Sequence, residues 1–307
     1  MHVYLTGGTG FVGSYILRAL LRAGHTVRCL LRDREATLHT DDETDVERVT
    51  GDVTDATSLR GTMRGCDAVI HLVGIIDEQP SKGVTFERIH ATGTRHVVAE
   101  AQAEDIQRFI QMSANGARPD GVSAYQTTKW AGEQAVRAAD FPHGVILRPS
   151  TIFGQPAPGQ PEFCTRLVED LIKPFPILPV FGDGSYELQP IHVTAVAEAF
   201  VQALEDDDHA GQAYGVAGRE RVPYVEALDR ITKGFGREPK RKIYQPLWLV
   251  RPAVHGLGRF GLLPISPDQF EMLVEGNTCD ATPFFSAFDV PDRPFTVEEL
   301  GYLQEVA

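Results

Sequence analysis

Residues 6–14 read TGGTGFVGS, directly after an apolar run, HVYLT at 2–6, and at the start of a helical pattern, FVGSYILRALLRA at 11–23. A strand, a glycine-rich turn and a helix in immediate succession predict a loop where backbone must approach a phosphate. Gly7 and Gly8 are expected to supply conformations closed to other residues, Gly10 to clear the space beneath a pyrophosphate, and Gly13 to let the helix pack on the sheet. Thr9, Phe11 and Val12 complete the turn, and the helix N-terminus offers free N–H groups and a positive dipole end. A purely structural turn would explain the glycines but not their place between a strand and a helix. Dinucleotide binding is the expectation.

The next 130 or so residues repeat the strand–helix alternation. Strands are predicted at 2–6, 26–31 (TVRCLL), 47–49, 68–73 (AVIHLV), 108–112 (RFIQM) and 144–148 (GVILR), with helices over 11–23, 84–103 and 124–139. The fold class is therefore α/β, a Rossmann-type doubly wound parallel sheet. After residue 154 a Pro- and Gly-rich stretch with one helical run, 162–173, departs from the pattern; QPIHV at 189–193 and AYGVAG at 213–218 return to it. We expect a nucleotide-binding domain over 1–154, completed by about 190–218, and a smaller C-terminal substrate or partner lobe built from 155–189 and 219–307.

Bulk properties narrow the function. The 307 residues carry a net charge of −13, with 29 Lys and Arg against 42 Asp and Glu, which argues against nucleic acid as a partner. Cys29, Cys66, Cys164 and Cys279 are scattered without a CxxC pair, so neither a disulfide framework nor a zinc site is expected, and no metal is predicted. The N-terminus enters a strand at once and no stretch is apolar enough to span a bilayer. The expected location is cytoplasmic, with room for a peripheral contact on the inner face of a membrane.

The end of the second strand chooses between NAD and NADP. LLRDR places Leu31 where an acid would grip a free ribose 2′-hydroxyl, and Arg32 and Arg34 where guanidinium groups suit a 2′-phosphate. NADP(H) is favoured over NAD(H), although Asp33 lies near the spacing of an NAD-type acid. GDVTD at 51–55 supports two readings: Asp52 and Val53 turned toward an adenine, or an N-cap and turn supplied by Asp52, Thr54 or Asp55.

Tyr125 and Lys129, in SAYQTTKWAGE, lie four apart on one helical face, a spacing that alone decides nothing. Taken with TGGTGFVG, GDVTD, HLVG at 71–74, Ser113 and RPSTIFG at 148–154, however, the chain resembles the extended and atypical short-chain dehydrogenase/reductases of the NAD-dependent epimerase/dehydratase superfamily. The order and spacing match along roughly the first 220 residues. The tail, PLWLVRPAVHGLGRFGLLPISPDQFEMLVEGN, is similar to the branch holding the NADPH-binding accessory subunit of respiratory complex I. The resemblance implies an oxidoreductase-like protein in which Tyr125 is the general acid/base, its phenol acidified by Lys129. Lys129 would also hold the nicotinamide ribose, Ser113 would donate to the substrate oxygen, and Leu72 and Gly74 would line the cofactor. Alternatives are a nucleotide-sugar epimerase, dehydratase or reductase, and a nucleotide-sensing or assembly module without turnover. Only eleven residues, ANGARPDGVSA, separate Ser113 from Tyr125, which shortens the segment that holds a sugar in the epimerases.

Three further signals are ambiguous. Arg148 faces a substrate cleft or braces the lobe junction; His192 lies near the cleft or serves structure. The stretch 239–267 holds Lys240, Arg241, Lys242, Arg251 and Arg259, with Tyr244, Trp248 and Phe260 interleaved and no acid. If 247–260 is helical, Arg251, His255 and Arg259 share a face opposite Leu249, Val250 and Leu257. That face could meet an anionic membrane or a respiratory complex, wall a pocket, or pack on its own lobe.

Overall fold

In chain order the strands are β1 (His2–Thr6), β2 (Thr26–Leu31), β3 (Val46–Thr50), β4 (Ala68–His71), β5 (Arg108–Met112), β6 (His143–Pro149), β7 (Ile152–Phe153), β8 (Leu178–Phe181), β9 (Glu187–Leu188), β10 (Ile191–His192), β11 (Ala213–Val216), β12 (Val222–Pro223) and β13 (Lys242–Gln245). The helices are α1 (Phe11–Arg22), α2 (Ala56–Leu59), α3 (Gly93–Ala103), α4 (Ala124–Ala138), α5 (Phe163–Leu167), α6 (Val193–Glu205), α7 (Tyr224–Gly234), α8 (Leu247–Leu257), α9 (Pro267–Glu275), α10 (Thr282–Ala287) and α11 (Leu303–Val306). This computed structural model describes residues 1–40, 44–160, 162–258 and 265–306.

Seven strands form one parallel sheet in the order β3-β2-β1-β4-β5-β6-β11. Strand order reverses between β1 and β4, so the crevice beyond their carboxyl ends is where this class of sheet receives a ligand. Alternate residues of the buried strands face opposite layers. Leu5, Ile70, Ile110 and Leu147 meet α1 and α6 through Ile16, Leu17, Val196 and Phe200. On the other face Tyr4, Val69 and Phe109 meet α3 and α4 through Val97 and Val136. At about 1.5–3 kcal/mol for each large apolar side chain buried, these two layers fix the ends of β1, β4 and β5 rigidly enough to position a site.

A third core, with Phe153, Cys164, Ile172, Val180, Leu228, Phe295 and Leu303, joins residues from β7 onward. Two stretches depart from the expected helices. Over 84–103 the chain forms a π-type turn at Glu87–Thr92 before α3, and over 162–173 α5 is followed by another at Val168–Ile172. Such turns insert a residue into the helical ladder and re-aim the side chains on it.

Candidate functional site

The glycine loop behaves as its sequence predicts, with one correction. Gly7 has φ +79°, a left-handed conformation, and a Cβ placed on it would lie 3.2 Å from Leu72 Cβ. At Gly13 a Cβ would fall 2.0 Å from the Gly7 carbonyl oxygen, so only glycine lets α1 start this close to the loop. Gly8 is not in the left-handed region; its lack of a side chain instead makes room for Cys29 Sγ and Leu5. The N-cap of α1 is Gly10, with no side-chain cap and no acid in the first turn. That leaves the N–H groups of a twelve-residue helix and its dipole facing outward at the switch point, as an anionic pyrophosphate requires. From the segment after β7, Gln160 Nε2 donates to the Thr9 carbonyl, and Tyr15 donates to the Gln155 carbonyl at 2.8 Å.

Lys129 and the end of β4 meet in the same crevice. Lys129 is buried, its Nζ donates to the Met112 carbonyl at 3.3 Å, and a Cβ on Gly74 would lie 2.8 Å from that Nζ. Ser113 follows Met112. It is 3 % exposed and its hydroxyl has no hydrogen-bond partner among the described residues, an orphan that a substrate or cofactor oxygen would satisfy. Helix α4 starts at the Ser123 cap, whose hydroxyl accepts from Gln126 N, and this start carries Tyr125 to the cleft edge.

The electrostatics differ from expectation. Burial pushes the Tyr125 phenol up to about 12, and the ammonium of Lys129 does not oppose it. Lys129 itself is lowered to about 8 by burial, against the pull of Glu133 one turn further on. Acidification of the phenol by this lysine is thus not what the protein alone displays; burial alone sets the direction.

Two histidines to which the sequence reading gave no role complete the site. His90, on the π-type turn, lies edge-on to the Tyr125 ring at 5.2 Å, its Nε2 accepts from Ile75 N at 3.0 Å, and its Nδ1 meets Thr128 Oγ1 at 3.1 Å. Phe86 packs on both rings. His71 is bonded between Thr6 Oγ1 and Thr94 Oγ1. Burial first, and the charge of Lys129 second, push His71 down to about 3 and His90 to about 2, so both are neutral. HLVG was legible as a motif, but nothing in the spacing of His90 pointed to Tyr125; the extra residue of the π-type turn does that.

The remaining candidates separate. Leu31 is buried, Arg32 and Arg34 are exposed, and the side chain of Arg32 has no partner among the described residues. Asp33 Oδ1 accepts from Glu35 N at 3.0 Å and so serves its own turn. Asp52 Oδ1 accepts from Thr54 N, and Asp55 caps α2, while Val53 is buried beneath α3 with its carbonyl accepting from His96. Of the two readings of Arg148 the geometry favours the brace: Nε donates to Glu133 Oε1 at 2.7 Å and a second nitrogen to Oε2. His192 caps α6, accepting from Thr194 N, and is lowered to about 4 by burial, the structural alternative.

The charged face expected at 247–260 is neutralised within the lobe. Arg251 and His255 both engage Glu271 of α9, Lys242 pairs with Asp229, and Lys240 donates to the Phe175 carbonyl. Leu249, on the face expected opposite Arg251, is exposed. Arg259 and Phe260 lie outside the described residues. Helix α9 also clasps the site: Asp268 accepts from Ala124 N, Glu275 engages Arg118 and Gln126, and Gln269 reaches Asp77. Among the described residues no helix is long and apolar enough to cross a membrane.

Comparison with known proteins places these features in context. Residues 3–217 match the profile of the NAD dependent epimerase/dehydratase family. The mitochondrial NADH-ubiquinone oxidoreductase 40 kDa subunit of Neurospora crassa is 30% identical over 270 residues, 86% of this chain and 68% of that protein. Ceramide reductase of Caulobacter vibrioides is 37% identical over 199 residues, 65% of this chain, and the match spans only 59% of that protein's length. Among solved structures, MoeE5 in complex with UDP-glucose and NAD shares the fold, with a TM-score of 0.75 and 20% identity over 99% of this chain and 98% of that one.

Proposed function

The chain belongs to the NAD dependent epimerase/dehydratase family, and from that premise we propose that it is an NADP(H)-dependent oxidoreductase acting on a carbonyl or hydroxyl carbon. The observation that carries this is the orphaned Ser113 hydroxyl, buried next to the carbonyl that receives Lys129. A buried hydroxyl without a partner costs about 1–3 kcal/mol, a cost that a bound oxygen would remove. The residues fit a dinucleotide: the uncapped start of α1 for the pyrophosphate, Gly7 and Leu72 to Gly74 along the crevice, and Lys129 for the ribose. When bound, the nicotinamide supplies or accepts the hydride. Ser113 orients the substrate oxygen, and Tyr125 gives it a proton in reduction or takes one in oxidation. His90 and Phe86 hold the Tyr125 ring in place.

Arg32 without a partner among the described residues, Leu31 in place of an acid, and Asp33 turned to its own backbone support NADP(H) over the NAD held by the solved relative. The short Ser113-to-Tyr125 connection disfavours a nucleotide sugar. The likeness to the 40 kDa subunit favours one second reading, a nucleotide-holding module in contact with a respiratory complex, without turnover. The test is Tyr125→Phe, assayed by NADPH oxidation across a panel of aldehydes and ketones. Wild type should turn over at least one of them, and the variant should lose that activity while binding NADPH as tightly, since the hydroxyl acts on substrate. A variant with full activity removes Tyr125 from the mechanism. Wild type that binds NADPH but reduces nothing in the panel favours the second reading.

A further inference from the structure

Residues 157–160 read APGQ, a turn with proline and glycine at its centre. Gln160 N donates to the Ala157 carbonyl at 3.0 Å, and Gly159 has φ +79°, the left-handed residue that a type II turn places after its proline. The turn delivers Gln160, which is buried, to the start of α1. Its Nε2 donates to the Thr9 carbonyl and its Oε1 accepts from the Ser14 hydroxyl at 3.5 Å, so one amide spans the glycine loop and the first turn of the helix. The Thr9 carbonyl and the Gly10 N–H are opposite edges of one planar peptide. Gly10 N donates to the Gly7 carbonyl at 3.1 Å, so the plane that opens α1 is held from both sides.

Gln160 has an anchor of its own. Two residues further on, Glu162 is buried and caps α5, with Oε1 accepting from Thr165 N and Oε2 from Cys164 N. Tyr302, immediately before α11, donates to the same Oε1 at 2.9 Å and accepts from Gly154 N at 3.3 Å, and Glu305 of α11 accepts from Gln155 Nε2 at 3.2 Å. We propose that Gln160 is a positioning residue for the dinucleotide, held in register by Glu162 and Tyr302, so that contacts far along the chain set the cofactor affinity; this rests on the dinucleotide reading of the glycine loop. The Thr9–Gly10 plane fixes the direction of the helical N–H groups that follow it, the groups left free to meet a pyrophosphate. Holding that plane before the ligand arrives reduces the ordering cost of binding. The bridge is a neutral amide and the first turn of α1 carries no acid, so neither repels the anion.

The experiment is titration of the full chain with NADPH, NADH and adenosine 2′-monophosphate, with thermal unfolding to confirm that each variant is folded. Gln160→Met keeps the length and packing of the side chain and removes both bonds. It should weaken NADPH and NADH by the same factor, about fivefold or more, and leave adenosine 2′-monophosphate, which has no pyrophosphate, unaffected. Tyr302→Phe removes one hydroxyl and leaves the loop itself untouched; it should weaken both dinucleotides by about threefold, and in the double variant the two losses should not multiply, because both act through one side chain. Without any nucleotide, hydrogen exchange at the Gly10 and Ser14 amides, which bond to the Gly7 and Gly10 carbonyls, should quicken in both variants. A Gln160→Met protein that binds NADPH as tightly as wild type overturns the proposal and leaves the dinucleotide reading standing. Equal weakening of adenosine 2′-monophosphate, or losses that multiply in the double variant, also overturns it. Wild type that binds neither dinucleotide removes the dinucleotide reading and this proposal with it.

Discussion

Replacing Arg148 by Ala should destabilise the protein, and the size of the effect follows from its partner. Glu133 has a side chain that is 0% exposed, and its two oxygens are both taken by Arg148, itself 27% exposed. Removing the arginine leaves a carboxylate out of reach of water. Breaking a buried pair from one side costs about 3–5 kcal/mol, and the partial exposure of Arg148 sets the expectation at the lower end, about 3 kcal/mol. For a chain of this size that lowers the melting temperature by roughly 6 °C. Arg148→Met with Glu133→Gln removes both charges at nearly constant volume and should return to within about 1 kcal/mol of wild type. Thermal unfolding followed by circular dichroism measures this, with the emission of Trp130, 5.7 Å from the Arg148 guanidinium, as a local report. An Arg148→Ala protein that melts like wild type and yet loses turnover would refute the brace and return Arg148 to the substrate cleft.

Two further outcomes are expected. By calorimetric titration NADPH should bind at least about tenfold tighter than NADH, a difference of about 1.4 kcal/mol, and Arg32→Ala should bring the two to parity; equal affinities in wild type would promote Asp33 instead. Lys129, lowered from its ordinary 10.5 to about 8, keeps its ammonium donor below that pH and loses it above, so NADPH affinity should fall as pH rises through about 8 and Lys129→Met should abolish that dependence. Stability runs the other way: between about 8 and 10.5 the unfolded chain binds more protons, and this residue's contribution to stability rises with pH.

The parallel sheet and the glycine loop were legible because short apolar, β-branched runs alternating with helical patterns, and a turn requiring Gly7 and Gly13, are local signals. The meeting of Lys129 with Gly74 was legible only through the family resemblance, since residues 55 apart in sequence share no local pattern. His90 was not legible. It sits in a stretch that reads as ordinary helix, and the π-type turn that aims it at Tyr125 leaves no mark in composition. The basic stretch stayed open in sequence for a related reason: charge counted along 239–267 omits Glu271 and Asp229, which the fold brings against it. Local charge density is a weak guide wherever partners arrive from another element.

The brace and the site are one electrostatic unit. Arg148 fixes Glu133, and Glu133, one helical turn from Lys129, is the charge that holds the lysine's proton against burial. On the other side Lys129 helps keep His71 and His90 neutral, so His90 can accept the Ile75 N–H on Nε2 and hold the backbone that follows Gly74. A positive His90 would have no lone pair for that bond, and the wall of the crevice along Gly74 and Ile75 would lose its anchor. Neutral histidines around a single buried ammonium leave Lys129 as the group whose charge faces a ligand there. Arg148 therefore acts on the candidate site from behind the helix, through the carboxylate it neutralises, and its place in RPSTIFG follows from the packing of β6 on α4 rather than from contact with a substrate.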